Sequence, residues 1–156
     1  MEKISNSIST TLSIGKKVSD NLSAGDIVCL FGELGSGKTV LAKGIASGLG
    51  IDKRKIVSPS FVLIRQYNKA RLPLYHFDLY RLKALKDIAF LGYEEYLYGE
   101  GVAVIEWADR LGRIMPKEYL GIELLVRGDS RRLIRFSSRG RHYKELLDKI
   151  YEDIRH

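Results

Sequence analysis

Eight consecutive residues, Gly32-Glu33-Leu34-Gly35-Ser36-Gly37-Lys38-Thr39, satisfy the pattern G-x-x-x-x-G-K-[ST] at every position. The chemistry of such a loop is phosphate binding. Its glycines let the backbone curl so that successive N–H groups face phosphate oxygens. Lys38 is long enough to reach the β- and γ-phosphates, and Thr39 brings a hydroxyl that suits Mg²⁺. Gly35, Ser36, Gly37, Lys38 and Thr39 are therefore the candidate contacts to a nucleotide. The flanks agree with this reading. Ile27-Val28-Cys29-Leu30-Phe31 is an apolar run that predicts a buried strand leading into the loop. Leu41, Ala42, Ile45 and Leu49 recur at helical spacing, so the loop opens onto a helix N-terminus.

A triphosphate held with Mg²⁺ needs an acidic partner for the metal opposite the loop hydroxyl. Glu106, directly after Val102-Ala103-Val104-Ile105, is the best candidate by position, which makes Thr39 and Glu106 the expected metal ligands. Asp78, at the end of Leu74-Tyr75-His76-Phe77, is the second, able to order an attacking water or meet the γ-phosphate through the metal shell. The competing reading for each is a strand-end carboxylate that caps the next helix or pairs with a surface arginine. Lys38, Asp78 and Glu106 form the candidate catalytic set. Ser60, in Ser58-Pro59-Ser60, lies where nucleotide-sensing segments often sit, with a simple turn beside proline as the alternative. Trp107 reads either as a border of the nucleotide or as an ordinary buried aromatic, and His76 as a packed core histidine.

Two subclasses are testable against the residues. A GTPase base reader of the form N-K-x-D is not met by Asn68-Lys69-Ala70-Arg71, and Asp109-Arg110-Leu111-Gly112 matches D-x-x-G only inside a predicted helix. A small-molecule kinase needs a mobile basic lid, but the late arginines belong to a predicted hairpin. ATP is thus favoured over GTP, and hydrolysis over transfer to a small acceptor. A non-catalytic, nucleotide-gated adaptor remains the reading from another class.

The elements that must position these residues follow from periodicity. A helix is expected over 10–22 with Ser9 as its N-cap, and Gly50 as the C′ residue of the loop helix. Residues 61–67 and 74–78 read as an antiparallel hairpin, 85–98 as a helix interrupted at Gly92, and 107–115 as a short helix stopped by Pro116. A second hairpin is expected from 119–126 and 133–138, then an amphipathic helix from Arg141 onward. The sum is a three-layer α/β domain of P-loop NTPase type, with a mixed parallel and antiparallel central sheet, spanning 1–156 as one unit. Ligands in such sheets sit at the carboxyl ends of the strands, which gathers the loop, Asp78 and Glu106 on one rim.

Composition narrows the setting. With 45% apolar and 29% charged residues, the chain reads as an ordinary globular protein. Its lone cysteine, Cys29, excludes an internal disulfide framework. The first residues lack the apolar stretch of a signal peptide, and no apolar run approaches a membrane span, so a cytoplasmic protein without a membrane partner is expected. The net charge of +7 favours an anionic partner. Arg127, Arg131, Arg132, Arg135, Arg139 and Arg141 concentrate part of it, either as a patch for phosphate, RNA or an acidic surface or as the solvated face of a hairpin.

Taken in order, the loop at 32–39, Ser58-Pro59-Ser60-Phe61, Tyr75-His76-Phe77-Asp78-Leu79-Tyr80-Arg81-Leu82 and Ile105-Glu106-Trp107 resemble the successive signatures of the TsaE (YjeE) family. The resemblance runs from about residue 8 to 139, and the H-F-D-L-Y-R stretch is its most specific element. It implies an ATPase of bacterial tRNA threonylcarbamoyladenosine biosynthesis; with no second catalytic carboxylate beside Glu106, weak hydrolysis by the chain alone is expected. Its partners would be the TsaD–TsaB pair, which modifies adenosine 37 of tRNAs, and tRNA would be met through that complex. It further implies Gly35 to Thr39 as phosphate contacts, Thr39 and Glu106 as Mg²⁺ ligands, Asp78 near the γ-phosphate and Arg131 as a late nucleotide-contacting arginine. Two positions depart from the family pattern. Ser60 stands where threonine is usual, and Ala108 where a proline often follows the tryptophan.

Overall fold

A strand as apolar as Ile27–Phe31 has no face to offer water, and it lies at the centre of the sheet. The computed structural model describes residues 1–57 and 63–155. In chain order its strands are β1 (Glu2–Ser5), β2 (Ile27–Phe31), β3 (Ile64–Tyr67), β4 (Leu74–Asp78), β5 (Val102–Glu106), β6 (Tyr119–Val126) and β7 (Arg132–Arg139). They form one sheet in the order β1-β7-β6-β2-β5-β4-β3. The inner strands β6, β2, β5 and β4 are parallel, while β3 and the β7–β1 pair add antiparallel edges. This is the expected mixed α/β sheet of a P-loop NTPase-like fold.

Alternation along β2 separates two apolar clusters. Val28 and Leu30 pack with α1 (Ile8–Ser19), α2 (Lys38–Gly48) and α5 (Arg141–Arg155), through Ile14, Leu41, Ile45 and Ile150. Ile27 and Cys29 point the other way, toward α3 (Leu85–Ala89), α4 (Tyr93–Leu97) and a 3-10 helix over Ala108–Ile114, through Ile88, Leu97 and Leu111. Burial pushes the Cys29 thiol far above its ordinary range, so it behaves as a small hydrophobe. The helix that carries the phosphate loop lies tight against α1. A Cβ on Gly15 would come within 2.6 Å of the Leu41 carbonyl oxygen, so glycine there is what lets the two backbones approach.

Several local expectations change. The first helix starts at Ile8, not Thr10, because Ser7 rather than Ser9 is its N-cap: the Ser7 Oγ accepts the Thr10 N–H at 3.0 Å. It ends at Ser19, although Leu22 is buried as expected. Strand β1 was not legible, since Glu2-Lys3-Ile4-Ser5 is too polar to announce a strand. It forms by pairing with β7, where Arg135 Nε donates to Glu2 Oε1 at 2.9 Å. The interruption at Gly92 is real and separates α3 from α4 with φ 64°. Of the expected strand over 61–67, Phe61 and Val62 lie outside the described residues. Among the described residues no helix is long and apolar enough to cross a membrane.

Candidate functional site

Between β2 and α2 the chain turns on glycines. Gly32, Gly35 and Gly37 all have positive φ, at 143°, 79° and 105°. Gly37 is the N-cap of α2 and brings no side chain to bond the first helical N–H groups, which suits an anion in that position. At Gly32 a Cβ would meet both the Leu124 carbonyl oxygen and the Ser36 Oγ at 2.6 Å.

Lys38 is almost fully buried, and its Nζ donates back to the start of the loop, to Gly32 O at 2.6 Å and Glu33 O at 2.8 Å, with Ser36 Oγ at 3.4 Å. Burial lowers its proton affinity, against the opposing pull of Glu106, Asp78 and Asp109. The ammonium also sits 3.9 Å from the centre of the Trp107 ring. Trp107 is therefore no ordinary core aromatic. It is half-buried, adopts φ 59° immediately after β5, and lies against Tyr80 with ring centres 5.1 Å apart. Such a φ is uncommon for a bulky side chain, and it turns the indole onto the loop.

Opposite the loop, the strand register sets Asp78 beside Glu106 at the carboxyl ends of β4 and β5. Both are buried. Thr39 Oγ1 donates to Glu106 Oε1 at 2.6 Å, so the two expected metal ligands meet. The other carboxylate oxygen, Oε2, lies 2.5 Å from His76 Nε2. Asp78 Oδ1 accepts the Tyr80 N–H at 3.1 Å. A cavity of about 400 Å³ joins Gly37, Lys38, Thr39, Asp78, Glu106 and Trp107. Hydroxyl and carboxylate oxygens are the donors Mg²⁺ takes, with phosphate and water completing its shell, so the residues fit that ion.

The sequence reading missed two participants. His76 is buried as expected, but it is also the partner of Glu106. Its spacing from Asp78 carried the signal, because residues i and i+2 of a strand share a face. Arg131, expected near the nucleotide, is exposed, and its neighbour reaches the loop instead. Arg132 Nε donates to Ser36 O at 3.0 Å and Nη2 to Gly35 O at 3.2 Å. Of the remaining arginines, Arg135 pairs with Glu2 and Glu123 and Arg141 with Glu145, as on a solvated face. Ser60 lies outside the described residues.

Comparison with known proteins points in one direction. Residues 5–134 match the family described as threonylcarbamoyl adenosine biosynthesis protein TsaE. The chain is 40% identical over 140 residues to the tRNA threonylcarbamoyladenosine biosynthesis protein TsaE of Bacillus subtilis, covering 90% of this chain and 87% of that one. The protein of the same name from Treponema pallidum is 42% identical over 134 residues, 86% of this chain and 98% of the relative. A crystal structure of YdiB from Bacillus subtilis matches with a TM-score of 0.83 at 35% identity, covering 97% of this chain and 94% of the other.

Proposed function

Because the chain belongs to the TsaE family of threonylcarbamoyl adenosine biosynthesis proteins, we propose that it binds and hydrolyses ATP with Mg²⁺ in tRNA threonylcarbamoyladenosine formation, as a subunit acting with TsaD and TsaB. The observation that carries the nucleotide reading is the 2.6 Å contact between Thr39 and Glu106 beside a complete phosphate loop. The half-buried Trp107, 3.9 Å from the Lys38 ammonium and with Tyr80 against its ring, supports a walled site rather than an open turn.

In this reading the loop N–H groups and Lys38 hold the phosphates, and Thr39 and Glu106 hold the metal. Mg²⁺, when bound, neutralises charge that develops on the phosphate oxygens. Asp78 orients the attacking water, and Arg132 braces the loop by holding its outward-facing carbonyls. Positioning and electrostatic stabilisation supply the catalysis, so slow turnover alone and faster turnover in a complex are expected. The tRNA is met through the partners.

The deciding experiment compares phosphate release from ATP by the chain alone and with TsaD and TsaB. Stimulation by the partners supports the proposal. Complex formation that depends on ATP without any turnover favours a nucleotide-gated adaptor instead. Phosphate appearing on a small acceptor rather than in solution points to a kinase.

A further inference from the structure

We propose that His76 is a positioning residue for Glu106, holding its carboxylate in the rotation that presents Oε1 to Thr39 and the metal; the inference rests on the nucleotide reading above. His76 lies on β4, two residues before Asp78 and on the same face, and is fully buried. Its Nε2 is 2.5 Å from Glu106 Oε2, while Glu106 Oε1 is 2.6 Å from Thr39 Oγ1. The remaining ring nitrogen, Nδ1, is buried and has no hydrogen-bond partner among the described residues.

That asymmetry assigns the tautomer. A proton on Nδ1 would leave a buried N–H without an acceptor, whereas a proton on Nε2 donates to a carboxylate oxygen in a charge-assisted bond. The residue type is otherwise hard to explain. An apolar side chain would fill the same place among Leu74, Val102 and Val104 without burying a polar atom.

Two anchors are needed because the terminal torsion of glutamate is broad and does not fix the carboxylate plane by itself. Thr39 is one anchor, but its hydroxyl would serve the metal once Mg²⁺ is held there. His76 then remains as the side chain that holds the carboxylate, as outer partners of metal ligands commonly do.

The test measures calorimetric binding of a non-hydrolysable ATP analogue, with Mg²⁺ and with EDTA, to the parent, His76→Gln and His76→Asn. Glutamine carries an N–H donor close to where Nε2 stands, whereas asparagine is polar but too short. In EDTA all three proteins bind equally well. With Mg²⁺, His76→Asn loses about 10–100-fold in affinity while His76→Gln stays close to the parent. In a Glu106→Ala background, His76→Asn adds no further loss.

Equal behaviour of the two variants overturns the proposal, and so does a further loss in the Glu106→Ala background. A measurement on the parent alone does not depend on either variant folding: ¹⁵N spectra of the imidazoles show His76 as the Nε2–H tautomer, and the Nδ1–H tautomer overturns the proposal. A parent that binds the analogue under neither condition overturns the nucleotide reading as well. A parent that binds, with both variants like it, overturns only the role of His76.

Discussion

Two histidine–carboxylate pairs of nearly equal length stand at opposite ends of the parallel strands. His76–Glu106, at 2.5 Å, closes the carboxyl end, and His142–Asp26, at 2.6 Å, the amino end. Length does not separate them; surroundings do. In the first pair the side chains are only 1% and 3% exposed, and the second carboxylate oxygen is turned outward from β5 to a residue of the phosphate-loop helix. In the second pair Asp26 is buried but His142 is 56% exposed, and the other Asp26 oxygen accepts the Ser23 N–H at 2.8 Å. Asp26 therefore closes its own turn, while Glu106 reaches across to another element. The cavity beside Asp26 is also the larger of the two, about 790 Å³ against about 400 Å³ at the loop. Volume alone does not mark the proposed nucleotide site. A buried lysine and converging oxygen donors do.

The contrast can be broken in four ways. The largest effect is expected from Lys38→Ala, which lowers ATP turnover in the presence of the partners by about 10²–10³-fold, the scale for loss of a group aimed at developing charge. Phosphate release checks this, and parental turnover removes the loop from the mechanism. Asp26→Ala next lowers stability by about 1–3 kcal/mol, because it removes a buried carboxylate that accepts the Ser23 N–H and pairs with His142. Urea unfolding reads that loss, and unchanged affinity for the nucleotide shows that the amino end is structural.

Third, alkaline stability isolates Tyr143, beside Asp26. Its hydroxyl accepts the Ile27 N–H at 2.9 Å, and burial pushes its pKa up to about 12 from an ordinary value of 10. A raised folded-state pKa means that the folded chain holds this proton more tightly. Its contribution is present below pH 10 and lost as pH rises through about 12. The parent should therefore lose stability more steeply than Tyr143→Phe across that window, and parallel curves would sink the assignment. The smallest effect is expected from His142→Ala, about 0–1 kcal/mol, as for other pairs with a solvated partner. A larger loss would put the amino-end pair in the same class as His76–Glu106.

How far the site was legible follows from distance along the chain. Gly37, Lys38 and Thr39 are contiguous, and their task is written in local backbone freedom and side-chain type. Glu106 and Asp78 were legible because each ends an apolar strand, the position from which a parallel sheet presents its ligands. For Trp107 the sequence leaves site wall and buried aromatic both open, since nothing local announces its positive φ. Arg131 and Arg132 are adjacent and chemically identical. Only the packing of the β6–β7 hairpin against the loop distinguishes the one that bonds Gly35 and Ser36.

The amino-acid sequence by itself determined the phosphate loop, its strand and helix, the mixed α/β class and the acidic candidates. Each of these depends on neighbouring residues or on a short period. Tertiary structure decided the rest: that Glu106 meets Thr39 across 67 positions and His76 across 30, and that Arg132 meets Ser36 across 96. Those contacts depend on the order β6-β2-β5-β4 and its register, and strand order is set by burying two apolar faces at once. No local pattern carries that information, because it belongs to the whole sheet.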